Sequence, residues 1–277
     1  MSKLIRPWTL RRLQARSRLA FEATTERLYG ILVGNIGRSD AYRPGSNEVE
    51  RKTLFQPGDE PVLLIQGFVH TRGTLTVLER RLRRDGFPVF SLNLAGFLGL
   101  YNTRPIQDLA ELVAQKVTRL QARHGLGRIS IIAHSMGGLV SRYFVQRLEG
   151  TQQVKVLVTL GSPHNGTPTA YVAAVPPLSL VTECGKQMLP GSPLIRELQQ
   201  LPHPEHTRMV SIYSRADLVC PYRYSIIETR PGDRVRNLCV DGIGHTSLLH
   251  SERVYRLIRR ELEPGEQADL DAHLSDS

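Results

Sequence analysis

A chain of 277 residues, 40% hydrophobic and 22% charged, has the length and balance of a globular enzyme with one sizeable core. No apolar run approaches the roughly 18 residues that a membrane-spanning helix requires. The net charge of +10 is concentrated in residues 1–55, where eleven Lys or Arg face five acids, +6 of the total. No aromatic-interleaved basic motif accompanies it, so nucleic acid is not an expected partner.

The three cysteines, Cys184, Cys220 and Cys239, form neither a CxxC pair nor a metal-spaced cluster, and so sparse a count suits a reducing compartment. A Cys220–Cys239 bridge stays open. The first residues are interrupted by arginine too often for a secretory signal, which makes a cytoplasmic location the expectation.

In chain order, the spacing predicts a helix from about Pro7 to Val33. Leu10, Leu13, Phe21, Leu28 and Ile31 lie on one stripe, and Arg11, Arg12, Arg16 and Arg18 on the other side. That stripe packs on the protein's own body or on a partner helix, or it lies peripherally on the inner membrane surface with its arginines at the headgroups. Residues 34–59 read as a connector with a short strand near Thr53–Phe55.

Beyond it, short apolar runs alternate with helical stretches. Strands are predicted at 61–65, 87–93, 129–133, 154–160, 209–213 and 235–240. Helices are predicted at Thr74–Arg84, Ile106–Arg123, 136–148 and Ser251–Leu262. This alternation predicts an α/β fold with a mostly parallel central sheet and helices on both faces. Residues 266–277 form a polar tail.

The strand ISIIA runs into His134-Ser135-Met136-Gly137-Gly138 and then directly into a helix. A nucleophile elbow needs small residues two before and two after its serine, because the turn is too tight for side chains there. Ala133 and Gly137 hold those positions, Ala133 in place of the usual glycine. Such a turn lifts the Ser135 hydroxyl above the sheet and turns the Met136 backbone N–H toward a developing oxyanion.

These residues resemble the lipase and esterase branch of the α/β-hydrolase superfamily, the triacylglycerol lipases among them, over roughly residues 60–262. The resemblance implies an acid after a later strand and a histidine after the last one. Asp217 follows strand 209–213 in a D-x-x-x-P arrangement, and His245 follows strand 235–240 in a loop with Gly242 and Gly244. Asp217 would orient His245, which would take the proton of Ser135. A second oxyanion donor, the Phe68 backbone N–H, would come from Gln66-Gly67-Phe68, where Gln66 replaces the usual histidine. Asp241, Asp233 and His250 are weaker rivals, and His134 is expected to point away from the site.

The segment Gly161-Ser162-Pro163-His164-Asn165-Gly166-Thr167-Pro168 is read either as a wall of the acyl pocket or as a plain turn. Residues 171–205 break the strand–helix rhythm. In this superfamily an insertion here serves as a small lid, with Val172, Val175, Leu178, Leu180 and Leu189 facing an acyl chain or packing on the sheet. The implied organisation is a basic helix and connector at 1–55, a hydrolase domain at 56–265 and the tail. The implied function is hydrolysis of carboxylic esters, lipid-like acyl esters above all, with neither metal nor cofactor. Acyl transfer by the same three residues, or a non-catalytic binding protein of this fold, are the alternatives.

Overall fold

In a computed structural model of the chain, residues 54–68, 70, 72–92, 104–148, 150–171 and 183–263 are described. The amphipathic stripe at 7–33, with its expected membrane contact, and the polar tail lie outside them. Leu54 and Phe55 are not strand. The Phe55 ring instead packs edge-on against Phe90, with 6.0 Å between centroids.

Six strands form one sheet: β1 (Val62–Ile65), β2 (Val89–Ser91), β3 (Ile129–His134), β4 (Val154–Leu160), β5 (Arg208–Tyr213) and β6 (Val235–Cys239). Their order is β2-β1-β3-β4-β5-β6, and all five pairings are parallel. A parallel sheet covered on both faces buries every residue of its central strands, which is why β1 is apolar throughout. Val62 and Leu64 face one core cluster while Leu63 and Ile65 face the other, as the two-residue period of a strand requires.

Helix α1 (Thr76–Arg84) and the terminal α7 (Glu252–Leu262) cover one face, through Leu78, Leu82, Val254 and Ile258. Helices α2 (Ile106–His124) and α3 (Met136–Arg147) cover the other. In α2 the buried residues are Ile106, Leu109, Ala110, Val113, Val117 and Leu120, a three- and four-residue spacing. Full burial of each large aliphatic among them contributes about 1.5–3 kcal/mol. Gly125, at φ +63°, ends the helix in the left-handed conformation.

Three short helices escape sequence periodicity: α4 (Glu183–Gln187), α5 (Pro193–Gln200) and α6 (Tyr222–Ser225). Only α5 carries a readable start, Ser192 accepting from the Ile195 N–H with Pro193 next in line. In the region read as a lid, Cys184, Met188, Leu194, Ile195 and Leu198 are buried in the core cluster beneath α2 and α3, and Leu189 packs against it. Val172, Val175, Leu178 and Leu180 lie outside the described residues.

Candidate active site

The strand order reverses at β1. The chain runs from β1 outward to β2, then crosses to place β3 on the other side. The crevice at such a switch point opens beyond the carboxyl ends of β1 and β3, where neighbouring loops diverge. Ser135 stands there, following β3, and the Gln66-Gly67-Phe68 loop follows β1. Ser135 has φ +55° and ψ −128°, and among the described residues no other non-glycine has a positive φ. Strain of that kind persists only where surrounding structure enforces it.

The enforcing contacts are visible. A Cβ on Gly137 would lie 2.7 Å from the Gln66 carbonyl oxygen and 2.9 Å from that of Ile65. Helix α3 can start this close to β1 only without a side chain at that position. A Cβ on Gly67 would meet the Ser135 Cβ at 2.9 Å, so the backbone leading to Phe68 passes directly beside the serine. Ala133 is fully buried, and its methyl group fits where glycine is usual. Met136 opens α3, and an N–H in the first turn of a helix has no partner within that helix.

Asp217 and His245 meet. The Nδ1 of His245 lies 2.7 Å from Oδ2 of Asp217, and both residues are buried. A carboxylate oxygen only accepts, so Nδ1 carries the proton and Nε2 is left as the basic nitrogen. The other carboxylate oxygen, Oδ1, accepts from the backbone N–H groups of Val219 (2.9 Å) and Cys220 (2.8 Å), which fixes its rotation. Gly242 takes φ +77°, a conformation open to glycine, in the loop that carries His245 back over the sheet.

Two residues complete this arrangement that sequence reasoning did not single out. β4 lies between the serine strand and the acid strand, so the Asp–His pair must pass over its end. Gly161 is the residue there: a Cβ on it would lie 2.8 Å from Asp217 Oδ2 and 3.1 Å from His245 Nδ1. The second is Ser214, whose buried Oγ accepts from the backbone N–H groups of Ala216 (3.1 Å) and Ile243 (3.2 Å), tying the acid loop to the histidine loop. A serine at the end of a strand three residues before an aspartate was the only signal for it.

The rivals have other partners. Asp241 pairs with Arg215 at 3.4 Å, and Asp233 lies 3.7 Å from His203. His250 sets its Nδ1 against the Thr246 carbonyl. His134 departs from expectation: it does not point away from the site. Its ring packs against His245, 4.5 Å between centroids, and its Nε2 donates to the His245 carbonyl oxygen at 3.2 Å. Burial and the neighbouring His245 hold the His134 pKa well below that of a free imidazole. His70 packs edge-on against His134 at 5.9 Å, and burial lowers its pKa from 6.5 to about 4. Ser135 Oγ makes no hydrogen bond to His245; the contact to His245 is made by the chain neighbour of Ser135, His134.

In the Gly161–Pro168 segment, His164 is fully buried, with Nε2 2.9 Å from Thr159 Oγ1. All three cysteines are free. Among the described residues, no group of three or more His, Cys, Asp or Glu could hold a metal ion, and no helix is long and apolar enough to cross a membrane.

Residues 57–229 match the family described as the PGAP1-like alpha/beta domain, more than half of the chain. The chain belongs to this family. Its relatives include a triacylglycerol lipase of Burkholderia plantarii, 29% identical over 159 residues, which are 55% of this chain and 42% of that protein. A GPI inositol-deacylase of Candida albicans is 27% identical over 137 residues, 48% of this chain and 26% of that one. The chain thus spans less than half the length of these relatives. Among solved structures, the mature Bacillus licheniformis lipase BlEst2 superposes with a TM-score of 0.61 at 13% identity, covering 76% of this chain and 94% of that one. This likeness establishes the α/β-hydrolase fold. Ser135 and Asp217 lie within the family match, whereas His245 lies beyond its end.

Proposed function

We propose that this PGAP1-like protein hydrolyses carboxylic esters, with Ser135 as nucleophile, His245 as general base and Asp217 as its orienting acid. The observation that carries the reading is the 2.7 Å Asp217–His245 bond, joined by the positive φ of Ser135, which no other non-glycine among the described residues shares. His245 Nε2 takes the Ser135 proton as Oγ attacks the acyl carbon. The tetrahedral oxyanion accepts from the backbone N–H groups of Phe68 and Met136. The protonated His245 then gives its proton to the leaving alcohol oxygen, and an acyl-serine remains. Water, deprotonated by His245, attacks that acyl carbon and releases a carboxylic acid and free Ser135.

The substrate we propose is a lipid-like acyl ester of a polyol. A triacylglycerol lipase and a GPI inositol-deacylase, by their names, both act on acyl groups carried by polyols, glycerol in one and inositol in the other. A chain-length series of p-nitrophenyl esters, with wild type and Ser135→Ala, tests the chemistry and the preference together. Ser135→Ala should lose about four to six orders of magnitude in kcat, as loss of a nucleophile does in comparable sites. Retained activity in Ser135→Ala, or failure of an organophosphonate to label folded wild type, would overturn the assignment. Turnover of acetates alone would overturn the lipid part.

A further inference from the structure

We propose that His134 is a positioning residue: in its neutral Nε2–H form it holds the backbone and ring of His245 in the place the general base requires. This rests on the proposed role of His245 and adds a residue that role does not name.

The geometry carries it. His134 is the last residue of β3, chain neighbour of the nucleophile, and only 1% exposed. Its Nε2 lies 3.2 Å from the His245 carbonyl oxygen, across 111 residues of chain. A carbonyl only accepts, so this bond requires a proton on Nε2. His245 opens a short 3-10 turn, Thr246–Leu249, at the tip of a loop. There Asp217 fixes its ring at Nδ1, and His134 fixes its main chain. The two contacts act on different parts of one residue, and together they define where Nε2 of His245 points.

The charge state suits the task. The groups around His134 are His245, His70 and, farther off, His250, all imidazoles, while Asp217 faces His245 from its other side. With no acid against it and with its ring buried, His134 stays neutral. When His245 becomes an imidazolium during the reaction, the ring beside it at 4.5 Å carries no opposing charge. A protonated His134 would raise the energy of that imidazolium and oppose proton abstraction. On its other side His134 meets His70, in the loop that presents the Phe68 N–H. One neutral ring therefore touches both the base and the oxyanion loop.

Two substitutions separate positioning from mere space filling. His134→Gln keeps an N–H donor near the original Nε2, and His134→Phe keeps the ring and loses the donor. If His134 positions, Phe lowers kcat about 10- to 100-fold with KM within twofold, and Gln stays within about threefold of wild type. If the ring only fills space, the order reverses. Equal losses, or Phe the more active, would overturn the proposal.

A measurement on wild type does not depend on either variant folding. Nitrogen-15 NMR of labelled histidine should show His134 protonated at Nε2 and untitrated from pH 8 down to 5. A proton on Nδ1, or titration in that window, would overturn it. Ser135→Ala measured alongside keeps the two readings apart. Activity retained there refutes the nucleophile assignment, whereas activity lost there and unchanged in His134→Phe refutes positioning alone.

Discussion

Strand β5 leads to a buried carboxylate at each of its ends, and the two are treated differently. Beyond its carboxyl end, Asp217 is held by two backbone N–H groups and the His245 ring. At its amino end, Glu261 of α7 is held by two guanidinium groups, Arg236 at 2.8 Å and Arg208 at 3.3 Å. Burying a carboxylate costs several kcal/mol unless it is paired or hydrogen-bonded. Both sites meet that demand. The arginines keep their charge at any ordinary pH, and their ion pairs with Glu261 tie α7 to β5 and β6. The Asp217 cluster pairs its acid with an imidazole, and in the proposed reaction charge appearing on His245 finds a fixed, buried counter-charge. The same side-chain chemistry serves as a rivet at one end of the strand and, in the function proposed above, as a catalytic device at the other.

Neutralising each acid should break this contrast in opposite ways. Asp217→Asn should keep the fold and lose about a thousand- to ten-thousand-fold in kcat, since an amide can favour the wrong imidazole tautomer. Steady-state kinetics beside a far-ultraviolet circular dichroism spectrum reads both quantities. A loss below tenfold would make Asp217 another rivet.

Acid probes the active-site end next. An unfolded chain protonates its histidines near pH 6.5, whereas buried His70 resists protonation down to about 4. Protons therefore favour the unfolded state, so stability is complete above about pH 6.5 and declines as pH falls toward 4. For His70 alone the difference amounts to about 3 kcal/mol, and buried His134 and His164 act in the same direction. Urea midpoints measured from pH 7 to 4 should fall, and His70→Gln should flatten part of that slope.

The smallest effect is expected at the other end. Glu261→Gln should leave kcat per folded molecule unchanged and lower stability by about 1–3 kcal/mol in urea titration. The value sits below that of a fully buried pair because the Arg208 and Arg236 side chains are 22% and 40% exposed and can be rehydrated.

Much of this was legible in the residues themselves. Each expected strand in 61–240 is present within a few residues of its expected bounds; β1 is the clearest case, since a strand buried on both faces is apolar at every position, while the half-buried β6 keeps Arg236 and Asn237. The elbow was legible because its steric demands fall on Ala133 and Gly137, two residues either side of Ser135. Helices α4 and α6, of five and four residues, were not legible, since so short a helix completes too few turns to show a period. His134 was misjudged because the direction of a side chain at an elbow depends on what the following loops bring over it.

Sequence alone determined the strands and the elbow, which rest on interactions between near neighbours in the chain, whereas the order serine, acid, histidine was implied by the family resemblance. Only the tertiary structure showed the 2.7 Å contact of Asp217 with His245, that Gly161 must lack a side chain, and that His134 lies against the histidine loop. Those outcomes depend on the order β3-β4-β5-β6, which brings the carboxyl ends of strands more than a hundred residues apart into one crevice. No local pattern encodes that neighbourhood. It arises when the sheet forms.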